Sequence, residues 1–350
     1  MNSIEQIAEK FKSKKIGLFF EEELSARSSF KIGGKAALLA EPSDEESLAF
    51  ALTEIRNAKI PYFVLGGGTN VLFDDSGFDG IVVSTKKLAG IDVTKDCPIK
   101  SGNDTVSQAQ EAAPVIVGRN SVIVGRDPTI LKPTVIVRAG AGASMAALVS
   151  FAQENALTGL EEFAGLPGTV GGAVYMNARC FEKEISQVVG KIRWLEPPVI
   201  VGRDPTILSP KEAVFAPSDW DYKKSPFTGT GRVVLSVEFI VQKGDKASIA
   251  QKAAAFIQER KNKGHYKAPC AGSVFKNNRA FGRPTGKIID ELGLKGERRG
   301  GAQIAPFHGN IIINAGGASS ADVRALVDLC KARAKEKFGI ELEEEIVLVD

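Results

Sequence analysis

Gly165-Leu166-Pro167-Gly168-Thr169-Val170-Gly171-Gly172-Ala173-Val174, running on into Tyr175-Met176-Asn177-Ala178, decides how this chain is read. Glycines this dense, broken by a proline, do not make an ordinary helix or strand interior, because each glycine costs backbone entropy and packs no side chain. Such a stretch can bring bare backbone N–H groups against a bulky anion. A second stretch of the same kind, Gly66-Gly67-Gly68-Thr69-Asn70, follows the apolar run Tyr62-Phe63-Val64-Leu65. Two such loops, far apart in sequence, point to one large ligand that carries a pyrophosphate and is held from two sides.

Outward from these loops the chain divides into three units. In residues 1–88, Ser43-Asp44-Glu45-Glu46 reads as a capping box with Leu48, Ala51, Leu52 and Ile55 as the helical stripe behind it. Pro61 ends that helix, and the strands Tyr62–Leu65 and Ile81–Val83 follow. Residues 89–242 hold a strand at Val135–Arg138 and a helix from Ser144 to Asn155 with Leu148, Phe151 and Ala152 inward. The alternating run from Arg232 to Val241 closes this unit as a strand. Residues 243–350 open with a helix carrying Ile249, Ala253, Phe256 and Ile257. The strand Ile311–Ile313 comes next, then a helix capped by Ser319 with Val323, Leu326, Val327 and Cys330 on one face, and a last strand from Ile340 to Val349.

Composition narrows the function. The chain has 350 residues, enough for two or three cores, and its net charge of +3 gives no case for nucleic acid. The cluster Arg260-Lys261-Asn262-Lys263 reads equally as a solvated helix face or a phosphate contact. No apolar run reaches the roughly 20 residues that span a bilayer. The N-terminal Ile4, Ile7, Ala8 and Phe11 lie at helical spacing among charges, so they form an amphipathic helix rather than a signal peptide. Cys97, Cys180, Cys270 and Cys330 lack C-x-x-C spacing, which suits a reduced, cytoplasmic protein. With only His265 and His308 present, neither a metal site nor a histidine triad is supported, and the chemistry is left to a cofactor.

Val122 to Leu131 recurs without change at Val199 to Leu208, and Val115 to Arg119 is a partial third copy. A repeat this short is no solenoid, whose units run to about 20 residues or more. It reads as inserted elements near 115–131 and 199–208, tolerated in loops where added length costs little.

The two glycine loops stand in fixed order with Ser28-Ser29-Phe30-Lys31-Ile32-Gly33-Gly34 before them and Ala271-Gly272-Ser273-Val274-Phe275-Lys276-Asn277 after. This set resembles the UDP-N-acetylenolpyruvoylglucosamine reductase (MurB) family from about Ser25 onward; Gly140-Ala141-Gly142 alone would mean little. The resemblance implies an α+β fold: a two-part FAD-binding domain of the PCMH (FAD-binding type 2) kind, then a smaller α+β substrate-binding domain whose last strand is a candidate to return to the FAD part. It implies NADPH-dependent, non-covalent FAD chemistry that reduces a UDP-sugar enolpyruvyl ether for peptidoglycan synthesis, with no nucleic-acid partner and no membrane insertion. FAD would rest on Gly66, Gly67, Gly68, Thr69 and Asn70, and on Gly165, Gly168, Thr169, Gly171, Gly172 and Ala173. The short segment from Tyr222 to Phe239 is similar to the type II enzymes.

The same resemblance assigns the chemistry. Ser273 matches the family's proton donor, although by itself it could be a serine bonding its own turn after Gly272. Glu345 matches a third catalytic residue near the enolpyruvyl group. Two-residue alternation puts Glu343 on the same face, and only register with the family's Leu-Glu-Pro-Glu-Val-Arg chooses Glu345. Lys223, in Asp221-Tyr222-Lys223-Lys224-Ser225, stands where the family has the arginine that binds the substrate carboxylate; it keeps the charge and loses the bidentate fork, with Lys224 as a competitor. Tyr222, Lys263, Lys276 and Asn277 fall on the substrate side, while Gly300 to Gln303 with His308 match a structural turn. Arg179 replaces a glycine of the family's Asn-Ala-Gly-Ala-Tyr-Gly and sets a bulky cation near the flavin loop. Two other readings are another FAD oxidoreductase of the same fold and a flavin-binding protein with impaired catalysis.

Overall fold

A computed structural model describes residues 3–97, 134–196 and 208–350. The first unit runs α1 (Ser3–Ser13), β1 (Gly17–Glu23), α2 (Leu24–Arg27), β2 (Lys35–Glu41), α3 (Glu45–Asn57), β3 (Tyr62–Leu65), β4 (Val71–Phe73) and β5 (Phe78–Ser84). Its sheet has the order β1-β2-β5-β3, parallel except for the β1–β2 pair. β2 and β5 are apolar at successive positions because both faces are covered. Leu38, Ala40, Ile81 and Val83 meet Phe11 of α1 and Leu48, Leu52 and Ile55 of α3, while Leu39 and Val82 pack with Phe73 and Val349 on the other face. The capping box of α3 sits one residue later than expected. Asp44, not Ser43, is the N-cap: its carboxylate accepts from Ser47 N at 2.8 Å, and Ser47 Oγ accepts from Asp44 N at 3.2 Å.

The second unit contains β6 (Ile91–Cys97), β7 (Thr134–Gly140), α4 (Met145–Glu154), β8 (Leu157–Thr158), α5 (Val170–Tyr175), β9 (Arg179–Cys180), β10 (Lys183–Glu184), β11 (Val189–Leu195), β12 (Pro210–Val214) and β13 (Val233–Lys243). β12-β11-β13-β7-β6 form an antiparallel sheet, β8 joins the end of β13, and β9 and β10 make a separate ribbon. Both inserts fall between paired strands: Cys97 lies opposite Thr134, and Leu195 opposite Pro210. Apart from Leu208, which is buried and donates its N–H to Thr53 Oγ1 at 3.2 Å, the repeated decapeptide lies outside the described residues.

The third unit comprises α6 (Lys246–Asn262), β14 (Cys270–Ser273), α7 (Thr285–Glu291), β15 (Arg298–Arg299), β16 (Ala302–Ile304), β17 (Ile311–Asn314), α8 (Ser320–Phe338) and β18 (Val347–Val349). The antiparallel sheet β14-β17-β16-β15 packs under α7 and α8, with Ile288, Val323, Leu326 and Cys330 in one core. Two expectations need correction. Ala253, Phe256 and Ile257 of α6 pack into the core of the second unit, so this helix faces away from the third sheet. The expected strand from Ile340 is a strand only at Val347–Val349, where it pairs in parallel with β4. The segment before it runs beside Phe275 instead, held by Lys276 N to Glu343 O at 2.9 Å.

Candidate active site

Between β3 and β4, the turn Gly66–Asn70 packs directly on Gly168–Thr169. A Cβ on Gly67 would lie 2.7 Å from Gly168 Cα, and one on Gly168 would lie 2.7 Å from Thr69 Oγ1, so side chains cannot enter here. No described residue accepts a hydrogen bond from the N–H groups of Gly66 to Asn70, nor from those of Gly168 and Thr169. Unpaired N–H groups converging from two glycine turns fit an anionic diphosphate, and no described residue satisfies them. Gly171, Gly172 and Ala173 do different work. Their N–H groups are taken by Ala141 O (2.9 Å), Thr169 Oγ1 (3.4 Å) and Thr169 O (2.9 Å), so they shape the turn and leave its donors to Gly168 and Thr169.

Ser273 closes β14, and Glu345 lies beside it because Glu345 N donates to Val274 O at 2.7 Å. Asn70 ties this segment to the first glycine turn: its Nδ2 donates to Glu345 O at 2.8 Å, and its carbonyl accepts from Val347 N at 2.9 Å. Lys223 reaches in from the second unit with a left-handed φ of 56° and places Nζ 2.6 Å from Glu345 Oε1. The two side chains are 13% and 9% exposed, so this pair is shielded from water. Burial pushes the Glu345 carboxyl above its ordinary range, and the Lys223 ammonium pulls it back. The Ser273 hydroxyl bonds no described residue, which removes the reading of a serine spent on its own turn. Ser273, Glu345 and Lys223 line one cavity of 1160 Å³.

The expected substrate residues line the same cavity, with different commitments. Lys224 is exposed and makes only a backbone turn with Asp221, so it does not compete with Lys223 for Glu345. Glu343 pairs with Lys276 and is largely exposed, which separates it from Glu345 despite the shared alternation. Asn277 commits its carbonyl oxygen to Thr285 N (2.9 Å) at the start of α7. Lys263 pairs with Glu259 on α6 and lies over the Phe181 ring at the cavity rim.

Sequence reasoning missed several members. His308, expected only in a turn, lines the cavity with its ring 6.0 Å from His265. Burial lowers both imidazoles, His265 to about 4. Arg260 is buried and donates from Nη2 to Cys180 Sγ at 2.8 Å, and Tyr266 donates its hydroxyl to Gly165 O. The short Arg260-to-Tyr266 stretch thus grips the second glycine loop from the third unit, and its only sequence signal was a basic cluster. Among the described residues no group of three or more His, Cys, Asp or Glu is arranged to hold a metal, and no helix is long and apolar enough to cross a membrane.

Residues 264–349 match the family model of the UDP-N-acetylenolpyruvoylglucosamine reductase C-terminal domain, and residues 36–114 that of an FAD binding domain. A UDP-N-acetylenolpyruvoylglucosamine reductase of Treponema denticola is 40% identical, over 94% of this chain and 92% of that protein. The Treponema pallidum protein of the same name is 37% identical, over 93% of this chain and 91% of its own length. The crystal structure of the reductase (MurB) from Thermus caldophilus superposes with a TM-score of 0.66 at 27% identity, covering 96% of this chain and 99% of that one. With the glycine cradle, the buried lysine–glutamate pair and these likenesses together, the chain belongs to the UDP-N-acetylenolpyruvoylglucosamine reductase family.

Proposed function

We propose that the chain reduces UDP-N-acetylglucosamine enolpyruvate to UDP-N-acetylmuramate in the cytoplasm, with NADPH as reductant, non-covalent FAD as cofactor and Ser273, Glu345 and Lys223 at the reacting atoms. FAD supplies the hydride to the enolpyruvyl double bond. The chain's residues handle the consequences. Hydride addition at the terminal carbon builds negative charge on the neighbouring carbon and its carboxylate, an enolate-like group that must be stabilised and then protonated. A serine hydroxyl is a feeble acid, but an enolate is basic enough to take its proton, and the Ser273 Oγ–H bonds no described residue. Lys223 sets a positive charge against Glu345 in the low-dielectric wall of the cavity, which keeps that carboxylate oriented as charge develops. The backbone donors of Gly66 to Asn70, Gly168 and Thr169 hold the FAD diphosphate. Tyr222, Lys263 and Lys276 face the sugar nucleotide.

One observation carries this reading: Lys223 Nζ meets Glu345 Oε1 at 2.6 Å inside the cavity that Ser273 lines, although the three residues come from distant parts of the chain. The test is optical. The purified protein should show flavin absorbance, bleach with NADPH and recover on adding the enolpyruvyl sugar nucleotide. A protein that bleaches but is reoxidised only by oxygen fits the reading of an impaired flavoprotein instead.

A further inference from the structure

In the family pattern Asn-Ala-Gly-Ala-Tyr-Gly, two positions are glycine where this chain has Arg179 and Glu182, and the structure pairs the two substituents with each other. They sit on the β9–β10 ribbon, whose two-residue turn is Phe181-Glu182. Both turn residues hold positive φ, 48° and 70°, a conformation usually left to Asn-Gly. The turn persists because Phe181 is packed on Phe256 with ring centroids 4.6 Å apart, with Arg260 and Lys263 each 5.3 Å from its ring centre. The ribbon is therefore a built platform, and it aims Arg179 at the cavity.

Two cations meet on one ring there. The Arg179 guanidinium lies 5.9 Å from the Tyr222 ring centre, and Lys223 Nζ lies 6.0 Å from the same centre. Their partners differ. Lys223 is bound to Glu345, 9% exposed, whereas Arg179 is bound to Glu182, 89% exposed. A solvent-exposed partner contributes little and is readily exchanged, while a partner buried beside an ammonium is not. An incoming anion can displace Glu182 from Arg179 but must leave Lys223 with Glu345.

We propose that Arg179 receives the ligand's carboxylate, supplying from the β9–β10 ribbon the guanidinium fork that the family places at the position of Lys223. This rests on the reading above, in which the ligand is an enolpyruvyl ether. A planar fork holds a carboxylate by two parallel bonds, which the single ammonium of Lys223 cannot do. Lys223 is thereby left to its buried partner Glu345, and the carboxylate-binding duty of the family arginine passes to Arg179.

Four proteins test this: the parent, Arg179→Gly, Arg179→Lys and the double variant Arg179→Gly with Lys223→Arg. Each is assayed for flavin reduction by NADPH, for KM with the enolpyruvyl sugar nucleotide, and for inhibition by UDP-N-acetylglucosamine, which lacks the carboxylate. Arg179→Gly should raise KM by about 10- to 100-fold, the range for losing hydrogen bonds to a charged group. Inhibition by UDP-N-acetylglucosamine and flavin reduction should stay at parental values. Arg179→Lys should fall between, and the double variant should recover a large part of the loss. An unchanged KM in Arg179→Gly overturns the proposal, and so does a parallel rise in the inhibition constant, which would put the guanidinium on the diphosphate. A parent that never reoxidises with the enolpyruvyl compound removes the functional reading itself, and the proposal with it.

Discussion

Ser273 can be examined apart from flavin reduction, because the two half-reactions use different residues. Ser273→Ala should leave bleaching by NADPH at near-parental rate and slow reoxidation by the enolpyruvyl substrate by about 100- to 10,000-fold, the usual share of a general acid. Rapid-mixing absorbance at the flavin band separates the phases, and reoxidation at the parental rate would place the proton donor elsewhere. Lys223→Ala should act on stability as well as turnover. It strands the Glu345 carboxylate in a site only 9% exposed, and breaking a buried pair costs about 3–5 kcal/mol. Without the ammonium, the Glu345 carboxyl rises further above its unfolded value. The extra cost is therefore absent at acid pH, where the group is protonated in both states, and grows as pH climbs through the folded value. Denaturant midpoints of both proteins at acid and neutral pH check that slope. None of this pairing was legible before the fold: no periodicity links Lys223 to Glu345, and alternation left Glu343 and Glu345 equivalent. What separates those two glutamates is the third unit's own backbone, which turns one towards solvent and the other into the cavity.

The glycine turns were readable because their signal is local, a density of residues that no regular element tolerates. Their internal division was not, since the sequence treats Gly67 and Gly171 alike while the structure gives them different neighbours. Gly67→Val drives a branched side chain into Gly168, 2.7 Å from its Cβ, and spreads the two turns apart. Flavin should be lost from this variant on gel filtration, and full yellow colour at parental stoichiometry would contradict the assignment. β1 went unread for the opposite reason. As an edge strand with Phe20, Glu21 and Glu23 largely in solvent, it shows no apolar alternation to find. The helix α6 was found, but its packing partner is a tertiary matter that its own stripe does not encode. The repeated decapeptide bears on elements too. The first copy joins two strands whose ends already face each other, Cys97 opposite Thr134, so a short turn can take its place. Replacing Val115 to Leu131 by a brief glycine linker should keep flavin content and turnover within a few-fold of the parent, measured by absorbance and steady-state assay; failure to fold would show the segment to be part of a core.

At the scale of the whole molecule, acid should be the weak side of its stability. His265 is held at about 4 against an ordinary 6.5, by burial first and then by Arg260, and His308 is lowered in the same direction. Each imidazole favours the fold while neutral. That contribution is complete above pH 6.5 and drains away as pH falls towards 4, because the unfolded chain takes the proton that the folded one refuses. Thermal unfolding at pH 7.5 and 4.5 should show a drop in midpoint that shrinks in His265→Gln; an equal drop in both proteins would assign acid sensitivity to the carboxylates instead.

The parallel pairing of Val347–Val349 with Val71–Phe73 also sets an order of events in the cell. A polypeptide emerges from the ribosome with its early segments first, and domains tend to fold as they appear. Here the first sheet must wait, for Val349 belongs to the core under Leu39 and Val82 and is made long after them. The same late segment carries Glu345 and takes its hold on Asn70 in the first glycine turn. Cradle, carboxylate and core therefore mature in a single closing step that waits for Glu345 to Val349, and a nascent chain cut short before it would hold neither a finished first unit nor a working centre.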